Sequence, residues 1–330
     1  MAAPVRIGLI GAGRWGQVYL KTLPELADRC RLTHLCTSRP EHAALAPRGV
    51  TVVPEWRGLV LAGCDAVIIA TPPSTHAEIL EGCLSAGTPC IVEKPLCLDV
   101  ATAERLHQAV QSSGVPVLVD HTHLFSAAYR TLAQTLCDAG EPIRVVISEG
   151  MGFGPFRTHT PALWDWAPHD VSLCLDLAGA APRQLDVLEG PRGPDGEPEL
   201  VAIRLDFPGN ACAWIHAGRL GVQKRRHLGV ITDTRVYAWD ALASDALSVS
   251  SAAFAHRYRD GIPEGLERRT LAVPASAAPM ARLLGDFLDG LAGGDRSRFG
   301  LGLAVEVTKV LAACEQVMAK RRSASAHAIS

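Results

Sequence analysis

The sequence predicts an α/β chain in two parts: a doubly wound parallel sheet over residues 1–120, then an α+β domain over 121–330 built on an open, mostly antiparallel sheet. Three observations predict it. Short apolar runs with a β-branched bias alternate with helical stripes through the first 120 residues. Strand-like runs joined by short turns dominate after that point. A glycine-rich turn, Gly11-Ala12-Gly13-Arg14-Trp15-Gly16, follows directly on the first apolar run.

Val5 to Ile10 is an apolar run stopped by glycine, and Trp15 to Leu26 follows with apolar residues at helical spacing, so the chain opens as strand, turn and helix. Leu32 to Cys36, Ala66 to Ala70, Pro89 to Val92 and Val115 to Val119 are further strand-like runs. Thr75 to Ala86 and Ala101 to Ser112 carry helical periodicity, and Thr75 with Glu78 has the spacing of a capping box. Strands buried on both faces and separated by helices pair in parallel. Beyond residue 120, Leu185 to Leu188, Leu200 to Phe207, Ala211 to Ala217, His227 to Thr232 and Thr234 to Trp239 read as strands. The turns Pro208-Gly209-Asn210 and Thr232-Asp233-Thr234 imply antiparallel hairpins. Helical patterns flank them at Ser126 to Ala139, Pro168 to Leu177, Ala281 to Leu291 and Leu303 to Met318, and residues 322–330 read as a flexible tail.

Composition narrows the function classes. With 330 residues, 48% of them apolar and 20% charged, the chain has material for a buried core and for two domains. No uncharged stretch reaches the roughly 18 residues of a membrane helix. Thirty-two basic against 34 acidic side chains, a net charge of −2, give no support to nucleic acid or an anionic membrane as partner. The opening MAAPVRIGLIGAG runs straight into a strand, which argues against export and for a cytoplasmic protein. Ten scattered cysteines without a C-x-x-C pair read as buried, reduced thiols rather than disulfides or metal ligands, so no metal is expected. Only five of the basic residues are lysine, which makes a lysine inside a motif more informative.

The glycine turn is the first chemical signal. Between a strand and a helix, Gly11, Gly13 and Gly16 let the backbone approach a pyrophosphate seated on the helix N-terminus, beside Arg14 and Trp15. Such a turn can also be only a turn. Where an NAD-preferring fold carries an acid at the end of its second strand, this chain has Thr37-Ser38-Arg39. Two hydroxyls and a guanidinium suit a ribose 2′-phosphate, so NADP(H) is favoured over NAD(H); the alternative is a solvated arginine with NAD bound loosely.

Two further segments complete a pattern: Asp65 to Ala70 running into Thr71-Pro72-Pro73-Ser74-Thr75-His76, and Glu93-Lys94-Pro95 at the end of the next strand. With the glycine turn they resemble the glucose-fructose oxidoreductase and inositol dehydrogenase family, the Gfo/Idh/MocA oxidoreductases. The resemblance covers the whole chain and implies a Rossmann domain followed by an α+β domain with an open sheet. It implies that Thr71, Pro72, His76, Glu93, Lys94 and Pro95 lie beside the dinucleotide, that Lys94 reaches the nicotinamide and the substrate hydroxyl, and that the Lys94-Pro95 bond is cis. It also implies pairing through the second sheet, giving a homodimer or homotetramer.

The family's second signature, D-x-x-x-H, appears as Asp165-Trp166-Ala167-Pro168-His169. Four-residue spacing at a helix start brings carboxylate and imidazole together, so Asp165 can fix the His169 tautomer; by spacing alone, Asp165 can equally cap a helix led by Pro168. The resemblance assigns His169 as general acid/base. Oxidising a secondary alcohol needs a base for its proton and a cation for the developing alkoxide, roles that fall to His169 and Lys94.

One segment departs from the family: Asp120-His121-Thr122-His123-Leu124-Phe125 stands where many members have an N-R-R-F-like stretch. If it is extended, His121 and His123 point the same way and one of them faces the substrate; a histidine pair bonded within the protein is the alternative. Trp164 and Trp166 bracket Asp165 as candidate substrate-stacking rings or core, and Met151 to Pro161, with Gly152, Gly154, Pro155 and His159, reads as a flexible wall over the site. The expected function is hydride transfer between nicotinamide and a secondary alcohol or carbonyl of a sugar, polyol or sugar derivative. Rival readings are reduction of a non-sugar carbonyl or C=N compound, a non-catalytic dinucleotide-binding regulator, and a metal-dependent hydrolase with His121, His123, His169 and an aspartate as ligands.

Overall fold

The computed structural model describes residues 3–156, 160–243, 246–251 and 268–329, which fall into two compact units, 1–125 with 277–308 and 126–276 with 309–330. The first unit opens with β1 (Val5–Ile10), α1 (Arg14–Thr22), β2 (Cys30–Cys36), α2 (Pro40–Ala43), β3 (Thr51–Val53) and α3 (Trp56–Leu61). It continues with β4 (Ala66–Ile69), α4 (Pro73–Ser85), β5 (Cys90–Glu93), α5 (Val100–Ser113) and β6 (Val117–Asp120). The six strands pair in parallel in the order β3-β2-β1-β4-β5-β6. Each change from strand to helix has a local cause. Asp99 caps α5 by accepting the Thr102 N–H at 2.8 Å, and Gly114 ends it in the left-handed conformation at φ 65°. α4 starts at Pro73 rather than Thr75 and has no capping box: the Thr75 hydroxyl donates to the Pro72 carbonyl, while Glu78 pairs with Arg57.

The second unit contains α6 (Ala127–Ala139), β7 (Ile143–Phe153), α7 (Ala162–Ala178), β8 (Gln184–Glu189), β9 (Leu200–Asp206), β10 (Cys212–Gly218), β11 (Leu220–Thr232), β12 (Arg235–Asp240), β13 (Leu247–Ser251) and β14 (Arg268–Thr270). Its sheet runs β14-β13-β12-β11-β7-β10-β9-β8, antiparallel at every pairing except β7 with β10. Alternate residues Val146, Ala213, Ile215, Val201, Ile203 and Leu205 are buried on one face. The other face leaves Trp214 47% and Leu188 63% exposed.

The chain ends with α8 (Pro279–Leu291) and α9 (Gly302–Ile329). Here the expected division at residue 120 is corrected. Leu118 bridges to Gly300, and Leu301, Ala304 and Val305 join Val67, Val92 and Val119 in one buried cluster, so 277–308 belongs with the first sheet. Over 322–330, where a tail was expected, α9 stays helical to Ile329; at the start of this stretch Arg321 bonds the Val187 carbonyl and Asp186, and Arg322 pairs with Glu189, all on β8. The ten cysteines are unbridged; Cys137 is exposed and Cys212 half-buried, against the expectation that all are covered. Among the described residues, no helix is long and apolar enough to cross a membrane.

Candidate functional site

The carboxyl edge of a parallel sheet, where strand order reverses, is the natural crevice of this architecture. That reversal lies between β1 and β4, and each carries a turn shaped for close approach. Gly11 sits at φ 97°, and a Cβ there would lie 2.5 Å from the Ala70 carbonyl oxygen. A Cβ at Gly16 would lie 2.0 Å from the Gly11 carbonyl oxygen, so only glycine lets α1 start this close to the turn. Gly13 differs from both. Nothing lies within 4 Å of a Cβ built there, and it precedes α1 with no side chain capping the free amides. An open cradle in front of uncapped N–H groups fits a pyrophosphate. Arg14 is exposed at its rim and Trp15 half-buried.

At the end of β2, the Thr37 N–H donates to the Val53 carbonyl and the Arg39 N–H to the Thr37 hydroxyl at 3.2 Å, which fixes the turn. Ser38 and Arg39 are exposed and no acid is among them.

Thr71 is half-buried and Pro72 exposed after β4, while Lys94 and Pro95 are buried after β5, joined by a cis peptide bond. His76 ties these two turns together. It is fully buried, with Nε2 at 2.8 Å from the Thr71 carbonyl and Nδ1 at 3.0 Å from the Pro95 carbonyl. Burial lowers its pKa, against the pull of the carbonyls. With no exposed surface His76 shapes the turns rather than touching a ligand, a correction to its expected place beside the dinucleotide.

Glu93 is corrected in the same way. It is 4% exposed and lies opposite Asp120, its register partner on β6. Asp120 also accepts from the Tyr19 hydroxyl at 2.6 Å and from the Thr122 hydroxyl at 2.5 Å. Burial raises Glu93 well above the usual carboxylate range, reinforced by the Asp120 charge; burial raises Asp120 too, against the Thr122 and Tyr19 hydroxyls. Sequence reading gave Asp120 and Tyr19 no role. The available signal was an acid closing each of two neighbouring apolar runs, Ile91-Val92-Glu93 and Leu118-Val119-Asp120.

His121 and His123 do not share a strand face. Thr122–Phe125 is a 3-10 turn, with His121 buried and His123 half-buried, so the extended geometry that aligned them does not hold.

In the second unit α7 begins at Ala162, six residues earlier than expected, and Pro168 lies inside it. Asp165 is in the first turn rather than at the cap, and His169 follows one turn later on the same side. The neighbouring Asp170 anchors the helix: it accepts from the Ser148 hydroxyl at 2.6 Å and faces Arg226 at 3.7 Å. Gly150 leaves room for that pair, since a Cβ would lie 2.1 Å from Asp170 Oδ2. The two tryptophans separate. Trp164 is 2% exposed and donates its ring N–H to Glu315 at 2.6 Å, which makes it core and not a stacking surface. Trp166 is half-buried, its ring centroid 4.9 Å below the Arg226 guanidinium. Of the expected flexible wall, Met151–Phe153 belongs to β7, and His159 lies outside the described residues. Among the described residues, no group of three His, Cys, Asp or Glu side chains is gathered as metal ligands.

Residues 5–121 match the family model described as "Oxidoreductase family, NAD-binding Rossmann fold", GFO_IDH_MocA. A solved structure from Magnetospirillum magnetotacticum MS-1, described as a candidate oxidoreductase, is 36% identical with a TM-score of 0.84, covering 94% of this chain and 100% of that one. UDP-N-acetylglucosamine 3-dehydrogenase of Acidithiobacillus ferrooxidans is 27% identical over 95% of this chain and 96% of its own length, and its structure superposes with a TM-score of 0.80. Inositol 2-dehydrogenase 2 of Paenarthrobacter aurescens is 28% identical over 60% of this chain, a match spanning 62% of that relative.

Proposed function

The chain belongs to the Gfo/Idh/MocA family of NAD(P)-dependent oxidoreductases, and from that premise we propose that it transfers a hydride between nicotinamide and a secondary alcohol or carbonyl of a sugar, polyol or sugar derivative. The observation that carries this reading is the carboxyl edge of the first sheet, which presents an open Gly13 cradle after β1 and a buried lysine after β5. Sugar and inositol dehydrogenases among the relatives support the substrate class.

Gly11, Gly13 and Gly16 would hold the pyrophosphate of the dinucleotide, and the turns carrying Thr71, Pro72 and Pro95 would flank its nicotinamide. When bound, that group accepts or returns the hydride at its C4 atom. The protein's own residues do the rest. Lys94 stabilises negative charge on the substrate oxygen as its proton leaves. His169 takes that proton in oxidation and returns it in reduction, with Asp165 orienting the ring. Trp166 excludes water from the substrate face.

Thr37, Ser38 and Arg39 support a preference for NADP(H). Fluorescence titration with NADPH and NADH side by side tests it. Tighter NADPH binding is expected, and Arg39→Ala should weaken NADPH about tenfold while leaving NADH nearly unchanged. Tighter NADH binding by the unaltered protein would reverse the assignment.

The open face of the second sheet supports self-association into a homodimer or homotetramer, because Trp214 and Leu188 expose apolar area on it. Sedimentation velocity should show an assembly that Trp214→Arg shifts to monomer. A monomeric unaltered protein would refute it.

A further inference from the structure

The side of β7 and β11 that meets α7 holds two cations to which hydride transfer gives no role. On β11, Arg226 stands opposite Gly150 of β7, and a Cβ at Gly150 would lie 2.6 Å from its Nη1. Its guanidinium carbon is 4.9 Å from the Trp166 ring centroid, and Nη1 is 3.7 Å from Asp170 Oδ2. That separation is an ion pair without a hydrogen bond; the Ser148 hydroxyl holds the other carboxylate oxygen at 2.6 Å. Among the described residues, Arg226 Nη1 is buried and has no hydrogen-bond partner. Buried donors are normally bonded, and a charged one left idle is among the costliest. Lys224, two residues earlier, is exposed, and no carboxylate among the described residues pairs with it. A Cβ built on Gly152 would lie 4.0 Å from Lys224 Cγ and 3.0 Å from the Trp166 ring edge, so both cations flank one ring. Arg225 between them turns to the opposite face, where it bonds both Glu149 oxygens at 3.1 Å.

We propose that Arg226, stacked on Trp166 and assisted by Lys224, is a specificity-determining residue that binds a carboxylate or phosphate group carried by the sugar substrate. The inference rests on the reading of His169 given above. Trp166 and Asp170 are four residues apart on α7, as are Asp165 and His169, so the two pairs form neighbouring stripes of one helix. A sugar whose hydroxyl meets His169 therefore has the guanidinium beside the next stripe. Arg226 and Lys224 set against Asp170 leave one positive charge in excess, which an anionic group matches and a neutral hydroxyl does not. A planar guanidinium fixed by stacking offers its N–H groups to two oxygens of a carboxylate or phosphate. The Asp170 contact keeps that plane in place without taking the Nη1 donor.

The test is titration calorimetry on the full chain in the presence of saturating oxidised dinucleotide, so that the pyrophosphate cradle is already filled. D-glucuronate and D-glucose 6-phosphate place a carboxylate and a phosphate on the same ring, with D-glucose as the neutral control. At least one of the two anions should bind about tenfold or more tightly than glucose, and which one does so separates carboxylate from phosphate. Arg226→Gln should abolish that advantage, and Lys224→Gln, at an exposed position, should reduce it about two- to threefold. Arg226→Lys keeps a positive charge beside Asp170 and serves if Arg226→Gln does not fold; without the planar fork it should lose most of the advantage. Glucose bound as tightly as both anions, no anion bound at all, or an advantage that survives loss of the guanidinium would overturn the proposal. Binding is read without turnover. An anion that binds through Arg226 to a protein transferring no hydride would contradict the oxidoreductase reading alone, and hydride transfer with no preference for anions this proposal alone.

Discussion

Lys94→Ala is expected to lower kcat about 10²–10³-fold, the scale of removing one preorganised stabiliser of an oxyanion from a partly dehydrated site. Lys94 is 7% exposed, so its charge is little screened by water. Dinucleotide affinity should change less than turnover, since the Gly11–Gly16 turn is untouched. Steady-state kinetics beside fluorescence titration separate the effects: a variant with unchanged kcat and weakened dinucleotide binding would make Lys94 a binding residue only.

His169→Ala should lower kcat about 10²–10⁴-fold with dinucleotide binding retained, because it removes the group that exchanges a proton with the substrate hydroxyl. The pH profile carries the sharper signature. In alcohol oxidation the imidazole must be neutral to accept the proton, so the rate falls on the acid side as His169 becomes protonated. In the variant that acid limb should vanish, and Asp165→Asn should lose rate less severely. A limb that survives His169→Ala would move the base assignment elsewhere.

The strands that position the first site were legible because burial on both faces writes them as unbroken apolar runs. Val5 to Ile10 coincides with β1, and the glycines that end it are there for geometry that a side chain would block. The centre of the second sheet was not legible. β7 carries Ser148, Gly150 and Gly152 on its covered face, because that face must admit Asp170, Arg226 and Trp166, and a strand so modified loses its apolar alternation. The same packing hid the start of α7. Pro168 reads as a first-turn proline, yet the helix tolerates it in its interior, and with the helix beginning at Ala162 the two tryptophans two positions apart project to different sides. Asp120 was beyond reach for another reason: its meaning lies in register opposite Glu93 and in a bond to Tyr19 about a hundred residues earlier, neither of which local pattern records.

Hydride transfer itself is tested most directly by isotope. The protein would be incubated with NADP+ or NAD+ and a panel of inositols, sugars and nucleotide sugars carrying deuterium at the secondary carbinol carbons, and the dinucleotide then analysed by mass spectrometry. The account predicts that at least one polyol or sugar delivers deuterium to nicotinamide C4, and that Lys94→Ala and His169→Ala each suppress the transfer. A dinucleotide that binds in the Gly13 cradle yet acquires no deuterium from any of them, while the unaltered protein reduces a non-sugar carbonyl or C=N compound instead, would contradict it.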